Sequence, residues 1–148
     1  MKEHPVLTRK DFMGNHEWCF YGWKEGAAHQ FFGPNNATDV WSVKKVNPQN
    51  MVHLTEKPVE LATRALRYSS RPGECVLDLF GGSGSTLIAA EQTGRRAFLL
   101  EIDPPYCDVV VNRFIHFAGR NDAVRLQANG EERSYEEVCL LRSATTAG

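Results

Sequence analysis

The alternation of apolar and polar positions changes character at Thr55. Before it, Glu17–Trp23 (EWCFYGW) is an aromatic and apolar run of the kind that suits a strand, followed by a turn at Gly26. A polar stretch through Gly33-Pro34-Asn35-Asn36 leads to Asp39–Val43 (DVWSV), a second short strand, and to a loop at Asn47-Pro48. These pieces predict a hairpin or a loosely connected strand pair over residues 15–50. On alternation, Trp18, Phe20, Tyr21 and Trp23 are expected to pack in a core rather than to stack on a base.

From Thr55 the period is helical. Thr55 can cap, Pro58 suits a first turn, and Val59, Ala62, Ala65 and Leu66 form a stripe opposite Glu60, Arg64 and Arg67, ending before Pro72-Gly73. Cys75–Phe80 (CVLDLF) reads as a buried parallel strand that runs into the loop Gly81-Gly82-Ser83-Gly84. A helix carrying Leu87–Ala90 follows and should stop at Gly94 in the left-handed conformation. Ala97–Glu101 is the next strand. Pro104 and Pro105 then start a helix with Tyr106, Val109, Val110, Phe114 and Phe117 on one face, ending at Gly119. The order is a βαβα unit. Residues 120–133 are polar and turn-rich, and Tyr135–Leu141 fits a terminal strand or an extra helix equally well.

At 148 residues, with 42% hydrophobic and 24% charged positions, the chain fits one globular domain. Its net charge of −1 gives no long-range attraction to a polyanion. Phosphate contacts would have to come from local clusters such as Arg9/Lys10, Lys44/Lys45, Arg64/Arg67/Arg71 and Arg95/Arg96, which read mostly as solvated faces. The four cysteines, Cys19, Cys75, Cys107 and Cys139, are scattered without a CxxC pair and are expected to be reduced; three lie in apolar runs, where a thiol behaves as a small hydrophobe. His16 and Cys19 do not define a metal site, and no metal is expected. His29 and His116 read as surface or packing residues. No stretch approaches the roughly 20 apolar residues that span a bilayer, and a cytoplasmic location is expected.

The chemistry concentrates in Asp78–Thr86 and Glu101. In an open parallel sheet, ligands sit at the carboxyl ends of strands, where a glycine loop admits close backbone approach and the next helix presents free N–H groups. Glu101 lies 17 residues past Gly84, the distance a helix plus a strand needs, and can accept hydrogen bonds from both hydroxyls of a ribose. No Gly-Lys-Ser/Thr follows the loop, which argues against a triphosphate-binding loop. The third glycine of GxGxxG is absent, and Asp78 would repel a pyrophosphate while suiting a cationic sulfonium and an α-amino group.

Three ordered segments resemble the β-class DNA amino-methyltransferases of bacteria and phage, which methylate adenine N6 or cytosine N4. Asp78-Leu79-Phe80-Gly81-Gly82-Ser83-Gly84-Ser85-Thr86 is similar to their DxFxGSGTT motif, with Ser85 for a Thr. His53-Leu54-Thr55-Glu56-Lys57-Pro58-Val59-Glu60-Leu61 is similar to HPTxKPxxL, with Leu54 for Pro. Leu100-Glu101-Ile102-Asp103, followed by Tyr106 and Arg113, resembles their E-x-[DP]-x-x-Y segment, which closes the cofactor pocket in that family. Upstream, His16–Lys24 resembles the HExxxxGWK stretch of phage-type members. The resemblance runs over residues 15 to 118.

It implies a Rossmann-like α/β fold for an S-adenosylmethionine-dependent methyltransferase, with an incomplete sheet. The chain would be one partial domain, with the cofactor unit at 53–118 and an extension at 119–148. By resemblance the cofactor is held by Thr55, Lys57, Pro58, Asp78, Phe80, Gly82, Gly84, Thr86, Glu101 and Asp103.

The family's catalytic motif is (Asp/Asn/Ser)-Pro-Pro-(Tyr/Phe/Trp). Asp103-Pro104-Pro105-Tyr106 has those letters but follows the ribose acid instead of the catalytic strand, so it reads as a cofactor contact and a helix start. The catalytic residues are therefore not identified in this chain. The resemblance then implies a C-terminal portion, a split half or a degraded copy that meets double-stranded DNA in the complete enzyme, through a complementing N-terminal half or by self-association. Two rivals are a catalytically silent cofactor- or partner-binding fragment and a nicotinamide-dependent oxidoreductase.

Overall fold

The computed structural model describes residues 11, 14–44 and 57–146. Helix α1 spans Val59–Ser69, β1 Cys75–Asp78, α2 Ser85–Thr93, β2 Arg96–Leu99 and α3 Pro104–Ala118. Two further strands, β3 at Arg125–Ala128 and β4 at Glu131–Ser134, precede α4 at Tyr135–Thr146. Helices α2 and α3 end on Gly94 and Gly119, both left-handed (φ 68° and 69°), a conformation that glycine adopts without steric cost. Helix α3 begins with two prolines, whose missing N–H groups cost nothing in a first turn.

Strands β1 and β2 are parallel, Cys75 opposite Arg96 and Asp78 opposite Leu99, with α2 as the crossover. The pairing continues past both ends: Arg96 N–H donates to Glu74 O (3.0 Å), Leu100 N–H to Asp78 O (2.9 Å) and Gly81 N–H to Leu100 O (2.8 Å). The glycine loop is thus an extension of the sheet. Val76 and Ala97 turn toward one side, where they join Val59, Ala62, Leu66, Ala89 and Ala90 in a core between the sheet, α1 and α2. Arg95 ties the two helices at their far ends by donating from Nη2 to Ser70 O at 2.6 Å.

The opposite face of the sheet carries Leu77 (65% exposed) and Phe98 (56% exposed), and Leu79 and Leu100 continue it beyond the strand ends. Parallel strands are ordinarily covered on both faces. Among the described residues, this one is covered on one.

Several expectations need correction. Glu17–Trp23 forms no strand, and in Asp39–Val43 only Val43 makes a lone bridge. Strand propensity expresses fit to a pleated, paired surface, and among the described residues no strand pairs with Glu17–Trp23 to supply one. The aromatics expected in a core stand outside it: Trp18 is 86% and Phe20 99% exposed. Trp23 stacks on His29 at 4.1 Å between ring centroids instead. The segment is held by its second part, where Phe32 N–H donates to Tyr68 O (2.9 Å), Phe31 and Trp41 meet the Tyr68 ring edge-on, and Arg64 and Arg71 lie over Trp41 and Phe32. All four cysteines are free but exposed, so the apolar runs containing them do not bury them.

Residues 120–133 hold an antiparallel hairpin whose turn is Asn129–Gly130, at φ 53° and 79°. Tyr135–Leu141 belongs to a helix. Ser134 and Glu137 cap it reciprocally, Ser134 N–H donating to Glu137 Oε2 (2.7 Å) and Glu137 N–H to Ser134 Oγ (3.3 Å). Helix α4 is tied to α3 by an Arg142–Asp108 ion pair at 2.8 Å and a Tyr135–Asn112 hydrogen bond at 3.1 Å. Among the described residues no helix is long and apolar enough to cross a membrane.

Candidate functional site

The end of β1, the glycine loop and the end of β2 form one hydrogen-bonded unit. Asp78 closes the loop on itself: Oδ1 accepts from Phe80 N–H (3.0 Å) and Oδ2 from the Thr86 hydroxyl (2.6 Å). The turn is shut where Gly84 N–H donates to Gly81 O at 2.8 Å. Gly82 and Gly84 have φ of 51° and 76°, so these two positions call for glycine on conformation alone. A Cβ on Gly84 would also stand 3.1 Å from Val110 on α3.

Glu101 bridges the loop and the start of α3. Its Oε2 accepts from Gly82 N–H at 2.6 Å and its Oε1 from Asp103 N–H at 3.0 Å. The Asp103 amide is the main cause holding this carboxyl below the usual carboxylate range; the Gly82 amide adds to it, and the Ile102 amide contributes less. Desolvation and the charge of Asp78 oppose the shift without reversing it. A group with a depressed folded-state pKa stabilises the fold fully above its unfolded value and loses that contribution as pH falls through the folded one. The melting temperature of the wild type should therefore approach that of Glu101→Gln below about pH 4. Thermal melts of both proteins between pH 7 and pH 3 test this; a gap that stays constant would count against the bridge.

The arrangement fits an adenosyl group with an aminoacyl tail. Each oxygen of an ionised carboxylate has two lone pairs, and the loop and α3 use one on each oxygen of Glu101. One on each remains for a vicinal diol. Helix α2 begins at Gly84 with no side-chain cap, so its first-turn N–H groups are open to an anionic group such as an α-carboxylate. Phe80 and Ile102 are exposed beside the loop and the acid.

Of the residues expected at the site, Asp78, Gly82, Gly84, Thr86, Glu101 and the Asp103 backbone are brought together by these bonds. The Asp103 side chain makes no cap on α3, which leaves its carboxylate for other use. Pro58 stands at the N-cap position of α1, and Lys57 pairs with Glu17 at 2.7 Å, joining the upstream His16–Lys24 stretch to the Lys-Pro motif. Thr55 lies outside the described residues. Sequence reasoning named Arg113 in the segment after Glu101 but missed its bond to the loop and the packing of Val110. Arg113 bonds to Ser83 and Val110 packs under Gly84, and the available signal was their three-residue spacing, which puts both on one helix face.

A family model described as DNA methylase, for N6/N4 methyltransferases, matches residues 15–112. The type II methyltransferase M.Cfr9I of Citrobacter freundii is 33% identical over 116 residues, 76% of this chain and 38% of that protein. The type II methyltransferase M1.MboII of Moraxella bovis is 40% identical over 65 residues, 43% of this chain and 25% of that protein. The crystal structure of the M1.HpyAVI–SAM complex superposes with a TM-score of 0.55 at 26% identity, covering 62% of this chain and 46% of that one. The chain thus spans less than half the length of each of these proteins.

Proposed function

The chain belongs to the N6/N4 DNA methylase family, and from that premise we propose that it is the cofactor-binding part of an S-adenosylmethionine-dependent DNA methyltransferase. The observation that carries this is the Glu101 carboxylate, fastened through Oε2 to the glycine loop and through Oε1 to the Asp103 amide, with a lone pair left on each oxygen to grip a ribose. When bound, S-adenosylmethionine supplies a methyl group made electrophilic by its sulfonium. This chain's residues bind and orient. Asp78 and Thr86 fix the loop, the amino end of α2 receives the α-carboxylate, and the acidic pair Asp78 and Glu101 favours a cation nearby. Catalysis of this kind rests on alignment of the reactants more than on covalent chemistry.

The acceptor would be an exocyclic amine of adenine or cytosine in double-stranded DNA, and the type II relatives favour a role in modification within a restriction-modification system. The site of action would then be the cytoplasm. Asp103-Pro104-Pro105-Tyr106 supports a structural role: Asp103 stands just before α3 and the prolines are its first two residues. Asp103→Ala should weaken cofactor binding by about twofold to fivefold, the scale of one exposed charge contact. Unchanged affinity combined with loss of methylation in a complete enzyme would reassign the tetrapeptide to catalysis.

The acceptor-binding and catalytic residues would come from polypeptide that this chain does not contain, seated against the open face of Leu77 and Phe98. Calorimetric titration of the chain with S-adenosylmethionine, its demethylated product and a nicotinamide dinucleotide tests the core of this reading. Micromolar binding of the first two and none of the third is expected. A folded chain that binds neither adenosyl compound refutes it. Sedimentation velocity would show whether the open face is instead satisfied by a second copy.

A further inference from the structure

The glycine loop is gripped from behind by α3. Arg113 donates from Nη1 to the Ser83 carbonyl oxygen and to Ser83 Oγ, both at 3.1 Å. On the same helix face, Val110 closes against Gly84. Ser83 and Gly84 are both buried. The peptide joining them is therefore fixed at both polar ends, its oxygen held by Arg113 and its N–H donated to Gly81 O at 2.8 Å. The Gly82 amide, upstream in the same loop, is held by Glu101.

We propose that Arg113 is a positioning residue for the cofactor: it locks the Ser83–Gly84 peptide in the orientation that the glycine turn and the open end of α2 need to receive the aminoacyl part of S-adenosylmethionine. The proposal rests on the cofactor reading above, and Arg113 acts through the loop without touching the ligand. A peptide plane free to rotate would carry the Gly82 amide off Glu101 and tilt the first turn of α2. A guanidinium suits the task because its charge is permanent and its donors are set in a rigid plane, so one group can serve a carbonyl and a hydroxyl together. A lysine ammonium keeps the charge without that planar geometry.

The test compares Arg113→Met, Arg113→Lys and Ser83→Ala in the full chain by calorimetry with S-adenosylmethionine, by hydrogen exchange and by thermal melting. Arg113→Met should raise Kd by about 10- to 100-fold, the effect of losing a charge-assisted hydrogen bond. Amides of Gly82 to Gly84 should exchange faster while those of β1 and the middle of α2 keep their protection. Arg113→Lys should recover part of the affinity. Ser83→Ala, which retains the carbonyl acceptor, should stay within about threefold of wild type.

Wild-type loop exchange in a folded Arg113→Met protein overturns the proposal, as does wild-type affinity. If Arg113→Met does not fold, Arg113→Lys decides, and its matching wild type in both loop exchange and affinity overturns the proposal equally. If the wild type itself binds no S-adenosylmethionine, the cofactor reading falls, and exchange in the variants still decides whether Arg113 holds the loop.

Discussion

Replacing Glu101 by alanine is expected to raise the Kd for S-adenosylmethionine by at least about 100-fold, from the loss of two charge-assisted hydrogen bonds to ribose hydroxyls at roughly 1.5–3 kcal/mol each. The side chain is a ligand for the protein as well. Its removal frees the Gly82 and Asp103 amides at once, so the loop should loosen even in the absence of cofactor. Glu101→Gln separates the two roles. An amide keeps one oxygen and presents an NH2 where one of the two backbone donors now points, so that bond is lost while the volume is conserved. Calorimetry on both variants, with hydrogen exchange at Gly82, checks the expectation. If Glu101→Ala binds the demethylated product as tightly as wild type, the ribose is held elsewhere.

Gly84→Ala should destabilise the chain by about 2–4 kcal/mol, a large effect for one methyl group. The left-handed φ of 76° costs a non-glycine residue about 1–2 kcal/mol, and the new Cβ meets Val110 Cγ1 and Cγ2 at 3.1 and 3.2 Å. Adding Val110→Ala relieves the overlap but leaves the backbone strain. The double variant should therefore recover part of the loss and never all of it, a non-additivity that urea unfolding resolves. Complete recovery would mean that φ at this position relaxes freely.

The βαβα unit was legible because its signals are local. Gly94, Gly119 and the Pro104–Pro105 pair mark helix ends whatever surrounds them, and the structure puts those ends at Thr93, Ala118 and Pro104. The loop and the acid were legible because Asp78, Gly82, Gly84 and Glu101 sit at the carboxyl ends of adjacent parallel strands. What failed depended on partners. The Glu17–Trp23 run has strand composition, yet a strand is completed by a neighbour, and irregular backbone results where none is supplied. Cys75 failed for the same reason, since it lies on the sheet face that no described residue covers. The hairpin at 125–134 carried a readable Asn-Gly turn that its polar strands obscured. Arg113 was visible as a letter in a motif, but its bond to Ser83 crosses 30 residues and follows only from how α3 docks.

The half-covered sheet also bears on how the protein would fare in a cell. Leucines and a phenylalanine lying side by side in the open are the signal by which chaperones retain a polypeptide and proteases remove it. Left bare, the chain should turn over quickly, and its abundance should rise with whatever polypeptide comes to lie on that surface. Supply of the covering piece would then set how much methyl-donor-binding protein survives, with no change in transcription.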